Sequence, residues 1–206
     1  EIDCIEIEYS CPVTGTAPEY YSGFNRFTAY RYDEVTDSYI LDNYFGDSFS
    51  EIDIPSTYRG KPVTAIGQQA FENHPEIESI TFPNSIEKIG TQAFYKCTNL
   101  SAIDLSNTSV TTIEQNAFKE TGLETLIFPE CISEIKDSAF CGTNLVEIIF
   151  PASLEIIESK AFSNCPYLEA VYYKGENHIN PSTDCTYDIY LNSGIDGEID
   201  FYFERS

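Results

Sequence analysis

Hydrophobic positions in this chain follow one template that is copied along its length. The dipeptide Ala-Phe recurs at Ala70-Phe71, Ala93-Phe94, Ala117-Phe118, Ala139-Phe140 and Ala161-Phe162, in steps of 23, 24, 22 and 22 residues. Four residues before each Ala stands Ile66, Ile89, Ile113, Ile135 or Ile157. Three residues earlier stands Val63, Ile86, Val110, Ile132 or Leu154. Five or six residues after each Phe an apolar run begins at Ile77, Leu100, Leu123, Leu145 or Leu168, and Pro83, Pro129 and Pro151 close three of these runs. A fixed period of this length marks stacked supersecondary units.

The runs alternate apolar and polar residues, as in Ile103-Asp104-Leu105, so they are predicted strands with one face inward. Proline cannot donate to a ladder and ends them. The other half of each copy, such as Ile86 to Phe94, places apolar residues at i, i+3, i+7 and i+8. That spacing fits one helical turn or a bent extended segment, and its short length argues against a full helix. A copy offers only about six inward side chains, so neighbours must stack to bury a core.

The segment Thr81-Phe82-Pro83-Asn84-Ser85-Ile86-Glu87-Lys88-Ile89-Gly90-Thr91-Gln92-Ala93-Phe94-Tyr95-Lys96-Cys97-Thr98-Asn99-Leu100 resembles the repeat of BspA-like (type 5) leucine-rich-repeat proteins. The likeness covers roughly residues 50–173. Departures are Glu114, Lys136 and Glu158 in place of Gly90, and Ser106 in place of the usual proline. The resemblance implies a right-handed leucine-rich-repeat solenoid, mainly β with short helical or 3-10 turns, of about five copies with caps. It further implies a non-enzymatic protein of the bacterial surface, secreted or surface-displayed. Adhesion or recognition of a protein or other extracellular macromolecule is the implied role.

A solenoid has two open ends whose strand edges need covering. Residues 1–50 are expected to form an aromatic-rich β cap, with Phe27–Tyr32 and Ser38–Leu41 as a hairpin across 33–37. Residues 51–173 form the solenoid in this reading. Residues 174–206 form a second cap ending in the alternating strand Glu198–Phe203.

Charge narrows the function. The net charge is −23, and acidic residues dominate both expected caps and the repeats. Nucleic-acid binding rests on Lys and Arg neutralising phosphates, so it is excluded as an expectation. Asp33-Glu34 with Asp37, and Asp196 to Asp200, are too loosely spaced for a calcium loop. No apolar run reaches membrane-spanning length. The chain holds no Met and no signal-peptide pattern, so any leader is expected to lie outside these residues.

The repeat also serves as a ruler for the cysteines. Cys97 and Cys165 share one column three copies apart, roughly 14 Å at about 4.8 Å per copy. A disulfide needs Cα atoms within about 7 Å. They are expected as buried free thiols, and Cys131 and Cys141 as free also. Cys4 and Cys11 are the one plausible bridge, and Cys185 has no evident partner. No zinc spacing occurs.

Catalytic motifs are lacking: there is no G-x-S-x-G, H-E-x-x-H or P-loop. His74 falls in the Cys97 column and reads as a turn residue, and His178 as a surface residue. No cofactor is expected.

Register sorts the outward residues of the strand face. One column reads Asp53, Thr81, Asp104, Ile127, Ile149, Tyr172. Its first half is polar and its second half is an apolar stripe. Contiguous exposed apolar surface usually means a contact. These six are the candidate partner-binding residues. Alternatives are that a cap folds over the stripe, or that it joins two copies in a weak homodimer as a structural or self-associating module. A further column holds Glu114, Lys136 and Glu158, which alternate in sign and suit an ion-pair ladder.

Overall fold

The computed structural model describes residues 28–46 and 49–174, with the backbone of 200–203. Strand β1 (Thr28–Asp33) and β2 (Ser38–Tyr44) form an antiparallel hairpin with a bulge at Ala29/Tyr30. The chain then coils. Short strands β3 (Glu51–Asp53), β6 (Ser79–Thr81), β8 (Ala102–Asp104) and β10 (Thr125–Ile127) pair in parallel in that order. Strands β12 (Glu147–Phe150), β14 (Ala170–Tyr173) and β15 (Asp200–Phe203) form a second parallel set. Phe128 and Phe150 bring the two sets side by side, with ring centroids 5.8 Å apart.

A second sheet runs along the other side. After the small strand β4 (Thr57–Tyr58), β5 (Lys61–Ile66) is followed by the two-residue strands β7 (Lys88–Ile89), β9 (Thr112–Ile113), β11 (Glu134–Ile135) and β13 (Ile156–Ile157). The order is β1-β2-β5-β7-β9-β11-β13. Thus β2 belongs both to the hairpin and to the first coil. Each inward residue of these strands, from Ile66 to Ile157, is buried.

No α- or 3-10 helix occurs among the described residues, so the expected short helical turns are replaced by paired strand residues and a non-helical turn. The reason is visible in the backbone. The residue before each Ala (Gln69, Gln92, Asn116, Ser138, Lys160) has φ between 55 and 59°. The residue two after each Phe (Asn73, Lys96, Glu120, Gly142, Asn164) has φ between 56 and 75°. Left-handed residues cost a non-glycine about 1 kcal/mol and interrupt any helix. They also aim alternate N–H groups along the solenoid axis. Gln92, Phe94 and Lys96 donate to the carbonyls of Gln115, Ala117 and Lys119, at 3.0, 2.8 and 3.0 Å. The same three bonds join each earlier and later pair of copies through Ser163. A net hydrogen bond is worth about 1 kcal/mol, which offsets the strain.

The core is a column of rings. Phe71, Phe94, Phe118, Phe140 and Phe162 stack with centroids 5.1, 5.1, 5.3 and 5.2 Å apart. Tyr44 adds a sixth rung 5.4 Å from Phe71, and its N–H donates to Ala70 as each Phe does to the next Ala. The sequence pattern showed five copies because Asn43-Tyr44 is not Ala-Phe and its turn is two residues shorter.

Candidate binding surface

The strand face is set by parity. In β3, β6, β8, β10, β12 and β14 the central Ile52, Ile80, Ile103, Leu126, Ile148 and Val171 point inward and are buried. Residues on either side of them turn outward. Pairing places Asp53 beside Thr81 and Ile127 beside Asp104. Ile149 lies beside Tyr172, and Tyr172 is paired in register with Tyr202 of β15. Ile127 and Ile149 are 47 % and 43 % exposed, Tyr172 is half-buried, and Asp53, Thr81 and Asp104 are exposed. All six candidate residues therefore fall along one face, and Ile127, Ile149 and Tyr172 lie at its C-terminal end.

The charge on this face has one sign. Its outward strand positions carry Glu51, Asp53, Asp104 and Glu147, all exposed, with Glu78, Glu124 and Glu169 just before β6, β10 and β14, and no Lys or Arg lies within these strands. No cation among the described residues pairs with them. The cations sit elsewhere. Lys136 is on the second-sheet side, 2.9 Å from Glu134 and 3.6 Å from Glu158. Its hydrogen bond to Glu134 raises its pKa. The expected ladder through Glu114 is thus a Glu134–Lys136–Glu158 triad in place of a strict alternation. Lys61 bonds Asp37, which Tyr32 also reaches, and this lowers the Asp37 pKa.

The thiols take structural roles. Cys97 and Cys165 are buried and free, and donate to the carbonyls of Phe71 and Phe140 in the preceding copy at 3.0 and 3.3 Å. Thr121 and Thr143, in the same column, instead donate to their own copy's Phe118 and Phe140. Burial pushes the Cys97 thiol up to about 12 and raises Cys165 as well. Cys141 is buried and free, and Cys131 is exposed and free. His74, in the same column, meets Glu76 at 2.6 Å and the edge of Tyr44. Cys4, Cys11, Cys185 and His178 lie outside the described residues. No metal-binding cluster of His, Cys, Asp and Glu is present among the described residues. No helix there is long and apolar enough to cross a membrane.

The family model for the BspA type leucine-rich repeat region matches residues 38–180 in six copies. The chain belongs to this family. A leucine-rich repeat protein of T. pallidum is similar in structure, with a TM-score of 0.68 and 29% identity over 71% of this chain and 69% of that one. A leucine-rich repeat protein of Bacteroides ovatus shares the fold at TM-score 0.57 and 20% identity, over 72% of this chain and 48% of that one. A leucine rich cell surface protein of Faecalibacterium prausnitzii matches at TM-score 0.43 and 23% identity, over 78% and 56% of the two chains. No curated protein matches the chain.

Within this BspA type repeat, the motif's Phe and Cys are accounted for by ring stacking and turn closure. Both outward columns, and the acidic character of their first half at Glu51, Asp53 and Asp104, are legible in the sequence.

Proposed function

We propose that this protein is a non-enzymatic recognition module, secreted or displayed at a cell surface, that binds a macromolecular partner through the strand face. The observation that carries this reading is the pair Ile127 and Ile149. They are exposed and apolar, on the neighbouring strands β10 and β12, where the face passes from its polar first half to its apolar end. A large apolar side chain on an acidic surface contributes to stability only if something covers it. Leucine-rich-repeat membership supports a binding role, and the described residues hold no catalytic constellation. The terminal segments, including the hairpin at β1 and β2, serve in this reading as caps.

The test compares the whole chain with Ile149→Asp for retention on immobilised extracellular-matrix proteins. Loss of binding with unchanged circular dichroism supports the reading. Equal retention by both proteins refutes the stripe as the contact. Light scattering over a concentration series checks the competing use of the stripe. A dimer that Ile149→Asp dissolves would identify a self-associating module instead.

A further inference from the structure

We propose that the partner element fitting this face is a cationic amphipathic α-helix lying along the solenoid axis. The inference rests on the binding role given above and names its chemistry. Three observations converge on it.

The first is charge. The face carries exposed carboxylates from Glu51 in β3 to Glu147 in β12 and no cation. Like charges brought together oppose association, and opposite ones steer it. A second copy of this chain would bring the same carboxylates face to face. The chain's remaining stretches are acidic too. Residues 1–27 carry Glu1, Asp3, Glu6, Glu8 and Glu19 against Arg26 alone. Residues 175–199 carry Glu176, Asp184, Asp188, Asp196 and Glu198 with no Lys or Arg. Neither of these stretches nor a second copy therefore fits, and the occupant must be basic.

The second is the division of the column. Asp53, Thr81 and Asp104 form its polar half, and Ile127 and Ile149 begin its apolar half. A ligand along the axis therefore needs Lys or Arg toward one end and apolar anchors toward the other.

The third is spacing. Adjacent rungs of a sheet lie about 4.8 Å apart. One turn of an α-helix advances about 5.4 Å, so residues at i, i+3 or i+4, and i+7 meet successive rungs, as helix-in-groove ligands do. An extended strand presents one face only every ~6.8 Å and falls out of step after one rung.

The experiment uses the full chain and three synthetic probes, followed by fluorescence anisotropy. One is a helical peptide whose contact positions, at i, i+3 or i+4, and i+7, carry lysine in its first half and leucine in its second. The second has the same composition in strict alternation. The third replaces lysine by glutamate at helical spacing. The helical cationic peptide should bind at least 10-fold more tightly than either control. The double variant Ile127→Ser/Ile149→Ser and the variant Asp104→Lys should each weaken it about 10-fold. Raising NaCl from 50 to 300 mM should weaken it further, because that shortens the screening length. Equal binding of the alternating peptide would overturn the inference, since it would show mere polyelectrolyte attraction. So would affinity that both variants leave unchanged. If Ile149→Asp abolishes matrix binding while no probe discriminates, the recognition role stands and the cationic helix does not.

Discussion

Gly122 stands at the step where the link from Phe to the next strand shortens. Phe94 is followed six residues later by Leu100, but Phe118 only five later by Leu123. The shorter link presses Gly122 against the preceding copy, and a Cβ there would fall on the Thr98 carbonyl oxygen. In the next copy Asn144 fills the matching place, because two short links lie in step. Gly122→Ala should therefore cost about 2–3 kcal/mol, in the range of overpacking at rigid backbone, read as a lower urea midpoint at unchanged slope. Ser106 shows the opposite case. It replaces a strand-ending proline, and the Asp104 carboxylate accepts its N–H at 2.9 Å while Thr108 bonds the Leu105 carbonyl at 2.8 Å. The turn survives the loss of proline because local side chains close it. The thiols give a second prediction. Iodoacetamide at pH 8 should label Cys131 rapidly and leave Cys97 and Cys165 unlabelled until denaturant is added, as peptide mass mapping would show. The folded Cys97 pKa lies above its unfolded value, so its contribution to stability is complete below about pH 8.5. It is lost as pH rises from there through about 12. Stability unchanged between pH 8 and 11 would contradict this burial.

Among the elements, the ring column joins sequence to stability most directly. Phe118 is fully buried between Phe94 and Phe140. Each copy meets only its neighbours, so removing a middle rung uncouples two halves. Phe118→Ala should cost about 3–5 kcal/mol, and a cost below about 1 kcal/mol in urea unfolding would show that the axial hydrogen bonds alone hold the copies. This column was legible in the sequence, because Ala and Phe keep strict step and nothing else could bury five phenylalanines at that period. Strand parity was legible too, since Ile103, Asp104 and Leu105 alternate. The second sheet was not. Its strands after β5, such as Lys88–Ile89, hold two residues each, too few for alternation to register. The left-handed turns were hidden for a different reason. Gln92, Lys96 and Asn116 occupy positions where glycine would have announced the backbone, and the conformation is imposed by bonds to the next copy. Tyr44 escaped because its ring, tilted by 33° against Phe71, continues the column without the Ala-Phe pair and after a shorter turn.

For the whole molecule, charge and shape pull against each other. A net charge of −23 is spread over an elongated stack, and one face gathers carboxylates without a cation. Self-repulsion of this kind destabilises the compact state. The described ion pairs give little in return, because Arg31–Asp42 at 3.1 Å, Lys174–Glu130 at 3.2 Å and their like are exposed and such pairs are worth about 0–1 kcal/mol. Salt screens both effects, and the unpaired carboxylates outnumber the pairs. Raising NaCl from 20 to 500 mM should therefore stabilise the protein. About 1 kcal/mol is expected, read as a rise of roughly 2–4 °C in Tm for a chain of this size. Chloride is the salt to use, since sulfate also strengthens apolar burial. A control with Glu51→Gln, Asp53→Asn and Asp104→Asn should melt higher at low salt and gain less from added salt. If Tm instead falls with NaCl in the parent chain, attractive pairs dominate and the acidic face costs nothing in the folded state. A basic partner would then relieve no folding cost on this face, whatever its geometric fit.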